Sequence, residues 1–375
     1  MVNVFVAGAG MTRIGRRSER LQDLMADAAH AALVAAGLET PDAIVVATMN
    51  PEEFLGDGNF ASHVATHLGF ADVPTLRVET ATSSGAAALY AGFAQVAAGL
   101  KSSVLVVGGE KMTHLSTPRV SEIIGRSIDP YERRYGATMP ALAGLITRAL
   151  MARKGVGARE IAQVAVKNHA NALRNPYAHF QQAITVEEVL ESRMVADPLR
   201  LLHCCPISDG AAAVVLTSAR APVRVAGVGQ GTDTLAVRHR AVLTSFRATR
   251  VAAQAAFAMA GFGAARVDFA EIHDAFAPFE LISLEDIGLV PSGKAGRATL
   301  DGETALDGRL PVNPSGGLKG RGHPLAATGL AQIVECVWQL TGRAGDRQVP
   351  GRRVGLAHSI GGLATNNWVT ILEAA

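Results

Sequence analysis

Cysteine is scarce in this chain of 375 residues: there are three, and two of them, Cys204 and Cys205, are neighbours. Adjacent cysteines are poor disulfide partners for one another, and neither they nor Cys336 stand at metal-ligand spacing. A disulfide scaffold and a zinc site are therefore excluded, and a reducing cytoplasm is the expected compartment. No P-loop and no dinucleotide-binding fingerprint occurs. Charge of one sign is nowhere concentrated: 35 Lys and Arg against 33 Asp and Glu leave a net charge of +2. That excludes a nucleic-acid tract and a polybasic membrane anchor. No apolar run is long enough to span a bilayer, and the opening residues 1–8 lack a charged leader, so no signal peptide is expected.

What is present suits a well-packed globular enzyme, with 49% hydrophobic and 18% charged residues and length enough for two or three subdomains. The chain reads as duplicated. Apolar, β-rich runs fall at residues 3–9, 43–48, 75–80, 103–109 and 211–217, then again at 223–228, 269–273, 310–313, 353–358 and 368–372. Helical patterns at 21–36 and 85–98 lie in the first half, with 248–260 and 325–340 in the second. Near-continuous apolar strands separated by helices predict largely parallel, helix-covered sheets. Further helices are expected at 140–154 and 186–192, inside a long excursion over about residues 111–202.

In each half a strand turns into a small-residue helix. In the first half the turn is Glu79-Thr80-Ala81-Thr82-Ser83-Ser84-Gly85, and in the second it is Asn313-Pro314-Ser315-Gly316-Gly317 followed by Gly322-His323-Pro324 and Thr328-Gly329. A helix that begins inside a protein must be thin-walled, and its free N–H groups favour an oxyanion. The bland reading of the second turn is a glycine-rich bend with a structural histidine; the whole constellation favours a functional one. Glu271-Ile272-His273-Asp274-Ala275-Phe276 closes a buried strand, and Ala357-His358-Ser359-Ile360-Gly361-Gly362 ends another. Either histidine, His273 or His358, could be structural or a proton-transfer group.

Taken together these segments resemble the two halves of a thiolase, closest to the sterol-carrier-protein and archaeal types, over essentially the whole chain. The resemblance implies a thiolase fold: duplicated β-α halves in a five-layer α-β-α-β-α arrangement, with halves at residues 1–219 and 220–375 and an inserted loop domain covering coenzyme A. It fails at the sulfur positions. Thr82 stands where thiolases carry the nucleophilic cysteine, Ala275 where the sterol-carrier type has an acid/base cysteine, and Ser359 where other thiolases place theirs. The resemblance implies catalytic roles for Thr82, His273, His323 and Ser359, supported by Asn313, Gly361 and His358. Cys204 and Cys205 lie on the return from the loop domain and read as structural.

A cysteine thiol near a helix terminus and a histidine ionises at neutral pH; a threonine hydroxyl does not and would need a base during attack. Thr82 is thus either an unusual nucleophile or a helix cap, and Ser83 and Ser84 are alternative hydroxyls. Met139, in Tyr135-Gly136-Ala137-Thr138-Met139-Pro140, resembles a residue beside the substrate channel. Ser245 and Arg247 are expected to meet coenzyme A, although Arg247 could equally be a solvated helix charge.

The function expected is that of an enzyme acting on acyl-coenzyme A thioesters, by carbon–carbon cleavage or formation or by acyl transfer through Thr82. A retro-aldolase paired with a small zinc-ribbon/OB-fold (DUF35-like) partner is the alternative, since thiolase-like aldolases have likewise lost the cysteines. A non-catalytic acyl-coenzyme A-binding subunit is the reading from another class. No cofactor is expected beyond the coenzyme A thioester itself. A homodimer or dimer of dimers, pairing through the strand at 75–80, is implied by the resemblance.

Overall fold

The computed structural model describes residues 2–375. The first half opens with β1 (Phe5–Met11), α1 (Leu21–Ala36), β2 (Ile44–Ala47), α2 (Pro51–Phe54) and α3 (Phe60–His67). It continues through β3 (Thr75–Val78), α4 (Ser84–Ala97) and β4 (Ser103–Glu110). The excursion that follows holds α5 (Thr117–Gly125), α6 (Pro130–Arg134), α7 (Met139–Lys154), α8 (Ala158–Ala172) and α9 (Val186–Glu191). A small ribbon, β5 (Met194–Ala196) with β6 (Leu199–Arg200), ends it, and β7 (Gly210–Thr217) brings the chain back.

The second half runs β8 (Val223–Thr232), α10 (Arg247–Ala260), β9 (Phe269–Glu271), α11 (Ala277–Ile287) and α12 (Ala295–Leu300). It closes with α13 (Gly317–Arg321), α14 (Leu325–Leu340), β10 (Val354–Gly361) and β11 (Asn366–Ala374). The strands follow one another in the order β3-β2-β4-β7-β1-β8-β11-β10-β9. Within the sheet the two halves join where Phe5 meets Arg224 and Val6 meets Val223. Spatial order is thus repeated: β1-β7-β4-β2 in the first half matches β8-β11-β10-β9 in the second.

Two expectations are corrected. The sheet is not largely parallel: β2 runs parallel to β3 and β4, and β9 to β10, while every other neighbour is antiparallel. Continuous apolar strands report cover on both faces, and helices cover this sheet whichever way its strands run. The segment 310–313 forms no strand either. It makes a single parallel bridge, Val312 to Ala270, because the chain bends at once into Asn313, whose φ is 54°.

Helices α1 and α3 cover one outer face, α10 covers the other, and α4 packs against α14 between the halves. This gives the five layers. The middle layer is thin where it matters: a Cβ on Gly85 would lie 2.3 Å from the Ala326 carbonyl oxygen, and one on Gly329 would lie 2.6 Å from the Ala86 nitrogen. Only glycine permits that approach, so the beginnings of α4 and α14 meet at their backbones. Among the described residues no helix is long and apolar enough to cross a membrane.

Candidate active site

The turn before α4, the end of β9, the turn before α14 and the end of β10 converge on one cavity of about 310 Å³. Thr82, His273, Ala275, His323 and Ile360 line its inner end, and Met139 with Phe276 and Phe279 lines its apolar wall. Sequence elements nearly 280 residues apart meet here because the duplicated halves bring their strand ends to the same layer.

Thr82 is 6% exposed. Its hydroxyl donates to the Ile360 carbonyl at 2.7 Å. It does not cap α4, which corrects that expectation: Ser83 holds the N-cap position, and no side chain caps the helix. The neighbouring hydroxyls are also committed. Ser83 Oγ donates to the Thr80 carbonyl at 2.8 Å, and Ser84 Oγ to the Ala81 carbonyl at 2.6 Å. These bonds hold Ala81 at a φ of 54°, the left-handed region that a side chain rarely adopts.

His273 receives the other backbone group of the same residue: the Ile360 N–H donates to His273 Nδ1 at 3.2 Å. The acceptor nitrogen carries no proton, so in the neutral ring the proton sits on Nε2. His323 stands edge to face with it, ring centroids 5.1 Å apart at 86°. His323 Nδ1 lies 2.7 Å from the Thr328 hydroxyl, one turn into α14. That hydroxyl can accept from Nδ1–H, which leaves Nε2 as a base, or donate to Nδ1 in the other tautomer. Burial holds His323 down to about 3. Burial, then the nearby His323 ring, hold His273 well below its ordinary value. Both rings are neutral at physiological pH.

A buried polar frame fixes this pair. Asn313 Oδ1 accepts the Ile272 N–H at 2.7 Å, and Asn313 Nδ2 donates to Glu280 Oε2 at 2.7 Å. Asp274 accepts the N–H groups of Leu318 and Lys319 at 2.6 and 3.2 Å. Glu271 accepts from Ser315 Oγ at 2.7 Å and from Arg321 at 3.2 Å. Asn313 therefore supports the strand end that carries His273 and does not reach the cavity.

Other residues singled out from sequence lie elsewhere. Ser359 is buried in β10 with no partner for its Oγ. His358 faces α10, with Nε2 3.0 Å from the Thr249 hydroxyl. Gly361 backs onto the turn before α4, where a Cβ would lie 2.4 Å from Ser83 Oγ; any side chain there would push Thr82 out of place. Ser245 Oγ donates to Asp286 at 2.7 Å, and Arg247 is exposed at the start of α10. None of these five touches the cavity.

Sequence reasoning missed two wall residues. Cys204 and Cys205, read as structural, line the cavity beside Ala275. Cys204 pairs antiparallel with Phe276, and Cys205 N–H donates to the Ala275 carbonyl at 2.9 Å. Their place follows from a bridge across 70 residues that no local pattern announces. A second cleft of about 680 Å³ shares the 137–142 segment with the first and is lined by Tyr131, Tyr135, Arg153, Arg238 and Arg240. Among the described residues no group of three or more His, Cys, Asp or Glu side chains is placed to hold a metal ion.

Family comparison agrees with this geometry. Residues 4–220 match the thiolase N-terminal domain, and residues 229–374 match the thiolase C-terminal domain-like family. The chain is 42% identical to an acetyl-CoA acetyltransferase of Methanothermobacter thermautotrophicus, over 96% of this chain and 97% of that one. It is 34% identical to sterol carrier protein 2 of Rattus norvegicus, over 96% of this chain and 70% of that one. Among solved structures, the Ltp2-ChsH2(DUF35) aldolase superposes with a TM-score of 0.85 at 25% identity, covering 99% of this chain and 98% of that one.

Proposed function

The chain belongs to the thiolase family, and from that premise we propose that it makes or breaks a carbon–carbon bond beside the carbonyl of an acyl-coenzyme A thioester, without passing through an acyl-enzyme. The carrying observation is the division of Ile360: its carbonyl takes the Thr82 hydroxyl and its N–H fixes His273. A nucleophilic hydroxyl needs a base on its proton. Thr82 gives its proton to a carbonyl, which is no base.

The chemistry open to the remaining groups is that of an enolate. His273 Nε2–H is a preorganised donor for the thioester oxygen, and such a donor contributes about 2.7–4 kcal/mol where charge develops. His323 Nε2, in the tautomer whose Nδ1–H is accepted by Thr328, takes the proton of a 3-hydroxyl. The C2–C3 bond then breaks, its electrons pass to the thioester as an enolate, and the distal fragment leaves as a carbonyl compound. The reverse is an aldol condensation. An acyl-enzyme has no part in either direction.

Met139, Phe276 and Phe279 suit the acyl chain. The nucleotide end of coenzyme A is assigned to the second cleft, where Arg240 supplies positive charge beside Arg238, which is paired with Asp129 and Glu132. Ser245 and Arg247 then flank that outer portion and not the reacting carbon. The reading is of a cytoplasmic dimer pairing along the free edge at β3, with a small DUF35-type partner like the one named in the aldolase structure.

The test is to supply the purified protein, with and without such a partner, with a 3-hydroxyacyl-coenzyme A and to quantify the shortened thioester and the released carbonyl compound. Stoichiometric formation of both supports the reading; binding with neither product overturns it.

A further inference from the structure

Carbon–carbon cleavage leaves an enolate whose C2 must gain a proton. His273 spends its Nε2–H on the thioester oxygen, and the hydroxyl proton that His323 takes up has to be relayed to C2. We propose that the Cys205 thiol is the proton donor and acceptor at C2, a catalytic residue supplied from the segment bridged to Ala275 and Phe276. This rests on the reading of the reaction given above.

Position carries the argument. The bridge of Cys204 to Phe276 and the bond from Cys205 N–H to the Ala275 carbonyl set Cys205 directly across from Ala275. Residues directly opposite on an antiparallel pair direct their side chains to the same face. That face is the cavity wall, and Cys205 and Ala275 both line it together with His273 and His323. Ala275 is small enough to leave the thiol in view.

Elimination agrees. The other protons on the cavity wall are committed or remote. Thr82 donates to Ile360, and Cys204 Sγ–H to the Arg200 carbonyl at 3.5 Å. Thr117 and Ser121 sit exposed on α5, and Thr138 sits exposed at the N-cap of α7. The Cys205 thiol has no hydrogen-bond partner among the described residues. Burial, then the adjacent Cys204, push it up to about 12, while Lys319 opposes them. It therefore keeps its proton at neutral pH. Lys319, 2% exposed on α13 with its ammonium over the Phe180 ring, faces both cysteines and the Asp274 carboxylate. It stabilises the thiolate for the short time that the anion exists.

The step balances without another reactant. The C2 carbon takes the proton from Cys205 Sγ, the enolate electrons re-form the thioester carbonyl, and the thiolate remains. The imidazolium of His323, holding the former hydroxyl proton, returns it to Cys205 directly or through one water. Net, the hydroxyl proton has moved to C2. In condensation His323 first takes the Cys205 proton, the thiolate so formed removes the C2 proton, and the His323 imidazolium then protonates the new 3-oxygen.

Exchange at C2 isolates this step. Propionyl-coenzyme A is incubated in deuterium oxide with the full-length protein, and deuterium at C2 is followed by mass spectrometry. Cys205→Ala is expected to slow exchange by about 10²–10⁴-fold, the range of a positioned acid or base, with the thioester Kd unchanged. Cys336→Ala, at a cysteine of α14 that does not line the cavity, is expected to exchange within about threefold of wild type, a range well below such a loss. Cys205→Ser keeps the shape but offers a far weaker acid, and should lose at least about tenfold; it carries the test if the alanine variant does not fold. Exchange in Cys205→Ala and Cys205→Ser equal to wild type overturns the role of Cys205 and leaves the enolate reaction standing. No exchange in wild type that binds the thioester overturns both.

Discussion

Thr82 and His273 hang from the two backbone groups of one residue: the Ile360 carbonyl holds the threonine hydroxyl at 2.7 Å, and the Ile360 N–H holds the histidine at 3.2 Å. The end of β10 thus silences one side chain and orients the other. In the proposed reaction this ties off the position that would serve acyl transfer and sets His273 as the donor for the enolate oxygen.

The histidine pair should govern turnover. His273→Ala and His323→Ala are each expected to lower kcat/KM for 3-hydroxyacyl-coenzyme A cleavage by about 10²–10³-fold. Because burial holds His323 down to about 3, wild-type kcat/KM should show no acid limb from these rings between about pH 5 and 8. A limb centred near the ordinary histidine value of about 6.5 would contradict the dry, neutral site.

Asn313 supports the strand end that carries His273 and does not line the cavity. Asn313→Ala leaves the buried Ile272 N–H without its partner, while Glu280 Oε2 keeps the Asn168 amide at 2.9 Å. Such an orphaned group costs about 1–3 kcal/mol, to be read from urea denaturation. Restoration of stability by Asn313→Asp is not expected, since a carboxylate there faces Glu280. An alanine variant as stable as wild type would refute the assignment.

Stability should depend on pH with a sign fixed by burial. His358 is held down to about 3 from 6.5, so between those values it is neutral when folded and charged when unfolded. Its contribution is complete above about 6.5 and is lost as pH falls toward 3. Glu110 and Glu271, raised by burial from 4.5 to about 7, act oppositely: their contribution is complete below 4.5 and is lost as pH rises through 7. His358→Gln removes one histidine term away from the cavity. It should lose less stability than wild type between about pH 6.5 and 5, by roughly 2 kcal/mol. Parallel curves for the two proteins would show that His358 does not carry the effect.

The second cleft should read the nucleotide end of the substrate. Arg240→Gln is expected to weaken binding of acyl-coenzyme A about tenfold, the size of one charge-assisted contact, and to leave an acyl-pantetheine unaffected. Equal losses for both ligands, measured by calorimetry, would move coenzyme A elsewhere.

How far the sequence reached depended on locality. The helices at 21–36 and 325–340 were legible to the residue, because apolar periodicity and an end signal are local properties. His273, His323 and Thr82 could be singled out because each closes a recognisable strand-turn segment. Strand direction was not legible, since a strand covered on both faces has the same apolar run either way. Nor was the partner of the Thr82 hydroxyl, which lies 278 residues away. The same holds for Cys205, whose place on the wall is fixed by its bond to Ala275 beside an isolated bridge. Ser359 matched a pattern by position, yet the cavity touches β10 at Ile360 and passes it by.

The central claim is that this thiolase-family site works without an acyl-enzyme, and intact mass tests it most directly. The protein is incubated with acetyl-coenzyme A and with a longer acyl-coenzyme A, then weighed and mapped by peptide, beside Thr82→Cys, whose thiol at the start of α4 can ionise. The account predicts an unmodified wild-type chain that still binds the thioester, and an acyl group on residue 82 of the cysteine variant. An acyl group on Thr82 of the wild-type chain would contradict it.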